Sequence, residues 1–252
     1  MIICNGISLY RGKKQILSDT RLTARNGEIT VLIGKNGSGK TSLLRCIAGV
    51  YKRFSGSITF DGKDVLQNTP EEWRKMYGSE MSMIFQDSGN MINPIRRIGQ
   101  QFIDYVQAHQ PDKSKDQAYK MCCDMLTNVR LPNPENIMNS FPFELSGGMR
   151  QRVGIAMAMI FSPKILLADE PTSALDVTTQ AQIIRQIVDI RDEYGVAVIM
   201  VTHNLGVASY VSNKLMVMKG GHVVEYANPQ DDYTKQLLKA VPVIGGKTYY
   251  EQ

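Results

Sequence analysis

Apolar residues along the chain fall into two alternating kinds of segment. Four runs rich in β-branched residues are separated by stretches in which apolar residues recur at helical spacing. Strands that are apolar on both faces are typical of parallel sheets covered by helices. The pattern therefore predicts an α/β core with strands at 29–33, 81–85, 165–168 and 196–201.

Shorter apolar segments lie close to the first of these runs in the sequence. Residues 2–9, 21–24 and 57–60 have strand-like composition, and glycines punctuate the chain around them. We expect these segments to form an antiparallel sheet beside the main one.

The middle of the chain lacks strand signals. Between Gln86 and Phe161 the apolar spacing is helical, which predicts a helical insertion into the α/β core. Prolines occur within 131–142, and we interpret that stretch as a loop between helices. The predicted helices of the insertion are 98–108, 115–128 and 148–161.

A glycine-rich segment follows the first core strand. Residues 34–41, GKNGSGKT, match the pattern GxxxxGK[ST], and a helix is predicted at 40–50. Glycines let backbone N–H groups curve around an anion, and the lysine can reach the terminal phosphates of a nucleotide. The threonine hydroxyl is a candidate Mg²⁺ ligand, although a plain glycine-rich turn before a helix is the alternative. The predicted phosphate loop is Gly34, Lys35, Asn36, Gly37, Ser38, Gly39, Lys40 and Thr41.

Two adjacent carboxylates end the third core strand. In KILLADE, residues 164–170, an apolar strand leads to Asp169 and Glu170 at the edge of the sheet where ligands of open α/β sheets bind. Adjacent strand residues point in opposite directions, so we expect different roles for the two side chains. We assign Asp169 to Mg²⁺ through water and Glu170 to polarising an attacking water. A pair of solvated charges is the alternative.

The segment 144–152, ELSGGMRQR, is the most specific in the sequence. Ser146, Gly147 and Gly148 stand at the start of the helix predicted to end at Phe161. The serine hydroxyl and the backbone donors there would form a second anion-binding surface. A serine cap followed by a flexible glycine start explains the helix, but it does not explain the whole string.

The order of these motifs resembles that of ABC transporter ATPases along nearly the whole chain. After the phosphate loop come Gln86, LSGGM, ILLADE, SALD at 173–176 and VTH at 201–203. The resemblance implies an α/β P-loop ATPase core with an antiparallel β subdomain and an inserted helical subdomain. It also implies ATP and Mg²⁺ as cofactors, bound in a head-to-tail dimer between one subunit's phosphate loop and the other's signature.

The resemblance also implies a division of the single ABC ATPase domain. The nucleotide-binding core with its β subdomain would comprise 1–85 and 162–226, and the helical subdomain with the signature 86–161. A C-terminal helix and tail would occupy 227–252.

Four further residues take roles from the resemblance. Tyr10 matches an aromatic that stacks on adenine, although a core or surface tyrosine is equally compatible with the sequence. Gln86 resembles the glutamine that contacts Mg²⁺ and the attacking water. His203 matches a histidine that contacts the γ-phosphate, and we group it with Lys40 and Glu170 as catalytic.

The fourth residue is Asp176, in SALD. It matches an aspartate that helps to organise the neighbouring subunit's site. An aspartate at this point could equally cap the helix that begins near Val177.

Segments outside the catalytic motifs resemble ATPases of oligopeptide, dipeptide and nickel importers. They are QDSGNMINPIRRIGQQF at 86–102, PFEL before the signature, and YTKQLLKAVP at 233–242. The resemblance implies uptake of small peptides or of nickel and other metal complexes. It implies two transmembrane permease subunits, a second ABC ATPase in a heterodimer or homodimer, and indirectly an extracytoplasmic solute-binding protein. The chain would then lie at the cytoplasmic face of a bacterial cell membrane.

The composition of the chain bears on membrane spanning, on the state of the cysteines and on the charge of a ligand. The longest apolar stretch, 155–161, is far shorter than the roughly 20 residues that span a bilayer. The four cysteines form no CxxC pair, and we expect free buried thiols. The formal charge of +5 suits a polyanionic ligand without requiring one.

Other functions stay open at this point. An ABC ATPase acting on DNA or in translation usually carries a coiled-coil insertion or a second ATPase unit, and neither is present here. No nucleic acid partner is therefore expected. An exporter ATPase is a further alternative, and a catalytically silent module is disfavoured by Lys40, Asp169, Glu170 and His203.

Overall fold

A computed structural model of the protein describes residues 1–86, 92–173 and 175–226. The described residues form two compact units: the first contains 1–73 and 191–226, and the second contains 74–190. The strands are β1 (Ile2–Arg11), β2 (Lys14–Ala24), β3 (Ile29–Ile33), β4 (Ser55–Phe60), β5 (Lys63–Asp64), β6 (Met81–Ile84), β7 (Ile165–Asp169), β8 (Ala197–Val201), β9 (Lys214–Lys219) and β10 (His222–Tyr226). The helices are α1 (Lys40–Ile47), α2 (Pro70–Ser79), α3 (Ile98–His109), α4 (Lys115–Asn128), α5 (Pro134–Asn139), α6 (Gly147–Met159), α7 (Val177–Tyr194) and α8 (Leu205–Val211).

The predicted antiparallel sheet lies in the first unit. Its strand order is β2-β1-β4-β5, and all neighbouring pairs are antiparallel. Strand β2 begins at Lys14, earlier than predicted, because a tight turn at Gly12 brings the chain straight back along β1. Tyr10 pairs with Gln15 in this hairpin.

The parallel strands of the first unit run in the order β9-β3-β8, and β10 is antiparallel to β9. Every residue of β3 and β8 is buried, as continuous apolar strands of a parallel sheet require. Leu32 pairs with Val201 near the carboxyl ends of the two strands. The loops that follow β3 and β8 therefore leave the same edge of the sheet.

Helix α1 follows β3 and ends earlier than the sequence predicts. It stops at Ile47 because Gly49 adopts a positive φ of 63° and its N–H bonds back to the Cys46 carbonyl at 3.0 Å. A Cβ at Gly49 would lie 2.6 Å from the ring of Trp73, so a side chain at this position would also clash.

In the second unit β6 and β7 are parallel, with Ile84 paired to Ala168. Helix α3 buries Ile98, Phe102 and Val106, which recur on one face at helical spacing. Helix α4 begins with a capping box in which Ser114 Oγ accepts from the N–H of residue 117 at 3.2 Å. No helix within the described ranges combines the length and the hydropathy that crossing a bilayer demands.

The interpretation of 131–142 as a loop is wrong for its central residues. Residues 134–139 form the short helix α5, with Ile137 and Met138 buried. Pro134 occupies the first helical position, where its missing N–H costs no hydrogen bond. A helix of six residues is too short to show a repeated apolar period, so the proline was the available signal.

The cysteines are free thiols among the described residues, and Cys4, Cys46 and Cys122 are buried. Burial raises the pKa of Cys46 and Cys122 to about 12, and it raises the pKa of Cys4 as well. Their thiols are therefore protonated at neutral pH and weakly nucleophilic. Cys123 is half-buried, and burial also raises its pKa.

We expect a maleimide at pH 7 to modify Cys123 before the other three cysteines, because it is half-buried and the other three are buried. Intact-protein mass spectrometry should show one early adduct in the native protein and four in denaturant. In Cys123→Ser the early adduct should disappear. Rapid native labelling of Cys46 in that variant would contradict the packing described here.

Candidate functional site

The predicted phosphate loop joins β3 to α1 in the first unit. The φ angles of Gly34, Gly37 and Gly39 are 148°, 80° and 104°, a range that L side chains rarely adopt. A Cβ at Gly34 would lie 2.2 Å from the carbonyl oxygen of Met218 in β9. The loop can pass this close to β9 only because residue 34 is a glycine.

Two buried polar side chains lie in the loop. Lys40 is 5% exposed, and its Nζ donates to the carbonyl oxygens of Gly34 at 2.7 Å and Lys35 at 3.1 Å. Ser38 Oγ is buried and has no hydrogen-bond partner among the described residues. The residue that caps α1 is Gly39, which offers no side chain to the first amides of the helix. A buried cation, an unpaired hydroxyl and these amides fit a bound phosphate.

A glycine in the turn between β9 and β10 supports this loop. The Gly221 N–H donates to the Ser38 carbonyl at 3.0 Å. Its own carbonyl accepts from the Ser18 N–H at 3.0 Å and from the Thr20 hydroxyl at 2.8 Å. Our sequence analysis missed this residue. The paired glycines at 220–221 were the only local signal, and a glycine pair indicates a turn without indicating what it contacts.

The hairpin that carries Tyr10 lies against the same loop. A Cβ at Gly39 would lie 2.7 Å from the Leu17 side chain in β2, so hairpin and loop are in close contact. Tyr10 itself is 58% exposed. A ring with that much free surface can stack on a flat ligand.

His203 lies two residues beyond β8 and is exposed. Because β8 is parallel to β3, His203 and the phosphate loop leave the same edge of the sheet in the first unit. The next residue, Asn204, caps α8 by accepting from the Val207 N–H at 3.1 Å. That cap fixes the backbone on the C-terminal side of the histidine.

The second unit brings together two residues that the sequence singled out separately. Gln86 lies two residues beyond β6, and Glu170 lies directly after β7. The parallel pairing of β6 and β7 places these ends side by side. Gln86 Nε2 donates to Glu170 Oε2 at 3.4 Å.

The two adjacent carboxylates differ in surroundings, although not for the reason the sequence suggested. Asp169 is the last residue of β7 and is 5% exposed. Glu170 is beyond the strand and has a φ of 47°, so strand alternation does not govern its direction. The left-handed backbone at Glu170 directs its side chain instead.

The signature segment begins helix α6, one residue before the predicted start. Ser146 caps the helix, since its Oγ accepts from the Met149 N–H at 3.2 Å. A Cβ at Gly148 would lie 2.5 Å from Thr179 Cγ2. This glycine therefore lets the start of α6 lie directly against the first turn of α7, which contains Thr179.

Asp176 caps helix α7. Its Oδ1 accepts from the Thr179 N–H at 2.9 Å and its Oδ2 from the Thr179 hydroxyl at 2.7 Å. These bonds, the backbone one first, hold the pKa of Asp176 below its usual value. The capping alternative that the sequence left open is confirmed, and a role at a neighbouring subunit stays a prediction.

Some predicted features lie outside the described residues. They are 87–91 of the segment that follows Gln86, Ala174 of SALD, and the predicted C-terminal helix at 233–242.

A glycine-rich phosphate loop between a buried parallel strand and a helix defines a P-loop nucleotide-binding protein. The ABC transporter family matches residues 17–173, more than half of the 252 residues. The chain belongs to this family, and it is an ATP-binding and ATP-hydrolysing transport ATPase.

Several relatives are transport proteins. The chain is 39% identical over 238 residues to a probable peptide ABC transporter ATP-binding protein, y4tR, of Sinorhizobium fredii, covering 90% of this chain and 71% of the relative. It is 39% identical to the oligopeptide transport ATP-binding protein OppD of Escherichia coli, covering 92% and 71%. It is 35% identical to the dipeptide transport ATP-binding protein DppD of Lactococcus lactis, covering 93% and 70%.

Solved structures of ATP-binding cassettes have the same fold. The dimeric cassette MJ0796 bound to ADP and Pi has a TM-score of 0.79 at 25% identity, covering 92% of this chain and 100% of that one. The structure of cbiO1 from Clostridium perfringens, part of the complex cbiONQ, has a TM-score of 0.79 at 26% identity, covering 94% and 91%. The predicted family and fold are confirmed, and the alternative of an ATPase for DNA or translation is not favoured.

Substitution tests the close approach of Gly34 to Met218. In Gly34→Ala the new Cβ would meet the Met218 carbonyl, so we expect the free energy of unfolding to fall by ~3 kcal/mol or more and ATP binding to be lost. Gly37→Ala is the matched control, because its φ is also positive and nothing lies within 4 Å of its Cβ position.

For this control we expect a loss of only about 1 kcal/mol. Urea unfolding and equilibrium dialysis with ATP measure the two quantities. Equal stability of the two variants would contradict the close approach.

Proposed function

We propose that this chain is the ATPase subunit of a bacterial importer of small peptides. The relatives reported above have names that specify peptide, oligopeptide or dipeptide transport, which supports this cargo class. Nickel or metal complexes, the other cargo considered from the sequence, have no support among these names. Export is disfavoured only by the resemblance to importers.

The phosphate loop is proposed to bind the β- and γ-phosphates of ATP. In this structure Lys40 Nζ contacts loop carbonyls, and we propose that it turns to the phosphates when nucleotide binds. The Ser38 hydroxyl and the first amides of α1 supply further donors. Tyr10 stacks on the adenine, for which its exposed ring is suited.

Oxygen donors of the type that Mg²⁺ prefers are present on the predicted metal residues. We propose that Thr41 and Gln86 hold the ion directly and that Asp169 holds it through water. The bound ion would neutralise charge on the phosphates.

The Gln86–Glu170 contact is the observation that carries the hydrolytic chemistry. A carboxylate near a side-chain amide can accept a proton from a water molecule that the amide orients. We propose that Glu170 is this general base and that His203 donates to the γ-phosphate. Ser146, Gly147 and Gly148 would contact the ATP of a second ATPase subunit, and Asp176 would help to organise that subunit's site.

The chain would act at the cytoplasmic face of the membrane with separate proteins. We propose two transmembrane permease subunits, a second ABC ATPase in a heterodimer, and a solute-binding protein that delivers cargo from outside. Closing the ATPase dimer around ATP would exclude water from the phosphates, and hydrolysis would release the subunits again.

Glu170→Gln tests the general base. We expect ATP affinity to be kept and turnover to fall by ~10² to 10⁴-fold, because the amide cannot accept the proton. Glu193→Gln makes the same chemical change at an exposed position near the end of α7 and should leave turnover unchanged. ATP binding and phosphate release are measured on both variants. Unchanged hydrolysis in Glu170→Gln would remove this residue from the role.

Co-purification tests the transport assignment. From gently solubilised membranes of the host, the tagged chain should recover two multispanning proteins and a second ATPase, identified by mass spectrometry. Lys40→Ala should still recover the two multispanning proteins, because it alters nucleotide binding and not the contact with the permeases. Recovery with ribosomes or nucleic acid alone would overturn the assignment.

Cargo is tested by uptake. Cells lacking the gene should lose uptake of labelled di- and oligopeptides, and the wild-type gene should restore it. Loss of nickel uptake with normal peptide uptake would show the cargo assignment to be wrong.

A further inference from the structure

The backbone that carries Glu170 is unusual for this residue type. Its φ of 47° lies in the left-handed region, which residues with a Cβ seldom adopt. The next residue is Pro171, and a residue before proline is normally driven to extended backbone. Such a conformation persists only where neighbouring contacts hold it.

One buried side chain makes such a contact. Gln151 lies in helix α6 and is 5% exposed, and its Nε2 donates to the Pro171 carbonyl at 2.8 Å. A hydrogen bond inside a buried environment is directional and costly to lose, because the carbonyl would be left without a partner away from water. Within the turn itself, the Ser173 N–H donates to the Glu170 carbonyl at 3.2 Å.

We propose that Gln151 is a positioning residue for ATP hydrolysis. By holding the Pro171 carbonyl, it keeps the left-handed turn that presents the Glu170 carboxylate to Gln86. This inference rests on the proposed role of Glu170 as the general base. Gln151 itself does not touch the reacting atoms.

Helix α6 also connects the Gln151–Pro171 hydrogen bond to the signature segment. Helix α6 begins with the signature glycines, and Gly148 packs against Thr179 at the start of α7. Gln151 is therefore part of a helix whose first turn is proposed to contact ATP in the dimer. Any movement of α6 along its axis would be transmitted to the turn at Glu170 through the 2.8 Å bond.

Gln151→Met tests the proposal, because methionine has a similar length and volume but no donor. The full-length protein should show a kcat about 10-fold lower, with the KM and the Kd for ATP within about 2-fold of wild type. A merely structural role would lower the stability of the protein and leave the kcat of its folded form unchanged.

Gln186→Met is the matched control. Gln186 is also buried, at 6% exposure, and its Nε2 donates to the Val129 carbonyl at 3.3 Å. The control removes the same kind of bond in the same unit without touching the Glu170 turn. It should lower the urea midpoint by less, because methionine also removes the buried Gln186 Oε1, which has no partner among the described residues, and it should leave kcat within about 2-fold of wild type. Equal kcat values in the two variants would overturn the proposal.

Hydrogen exchange tests the role of Gln151 independently of the role proposed for Glu170. The amide of Ser173 should exchange about 10-fold faster in Gln151→Met than in wild type or Gln186→Met, because the turn opens more often. This readout needs no ATPase activity, so it applies even if Glu170 is not the base. Unchanged exchange at Ser173 would overturn the proposal by showing that Gln151 does not hold the turn. Faster exchange with normal kcat would overturn it by showing that the hold on the turn does not serve hydrolysis.

Discussion

A loop that binds phosphate must keep backbone N–H groups available in a place that is otherwise buried, and the first unit is organised around this constraint. Buried polar groups normally pair within the protein. Here it is carbonyl oxygens of the loop that are paired: Lys40 contacts those of Gly34 and Lys35, and Gly221 contacts that of Ser38. The first amides of α1 lack intrahelical acceptors by geometry. The loop is therefore held largely through its carbonyl acceptors, and that of Lys35 also accepts from the Ser38 N–H at 3.1 Å.

Features that depend on local sequence were predictable. Continuous apolar runs gave the parallel strands, and the spacing of glycines with Lys40 gave the phosphate loop. Features that depend on distant contacts were not. Examples are the close approach of Trp73 to Gly49 and the support that Gly221 gives to a loop far from it in sequence. Neither contact leaves a pattern in the residues around the glycine.

The contact between Gln86 and Glu170 could be predicted only in part from the sequence. The two residues are 84 positions apart, and no local pattern joins them. Both nevertheless follow apolar strands, and strands of a parallel sheet end at one edge, so topology alone brings them near each other. The left-handed backbone at Glu170 could not be foreseen. Glycine or asparagine would be expected at such a position, and glutamate before proline argues against it.

The proposed role of Glu170 gives a reason for a glutamate at this left-handed position. Glycine would fit the left-handed turn without strain, but it lacks the carboxylate that the proposed general base requires. A glutamate continuing β7 as regular strand would direct its side chain away from that of Asp169. The turn redirects the carboxylate toward Gln86, and the cost of about 1 to 3 kcal/mol for such a conformation must be offset by neighbouring contacts. Gln151 supplies one of them from the signature helix. Two motifs that are separate in the sequence thus share one packed element in the second unit, and the orientation of the carboxylate depends on both.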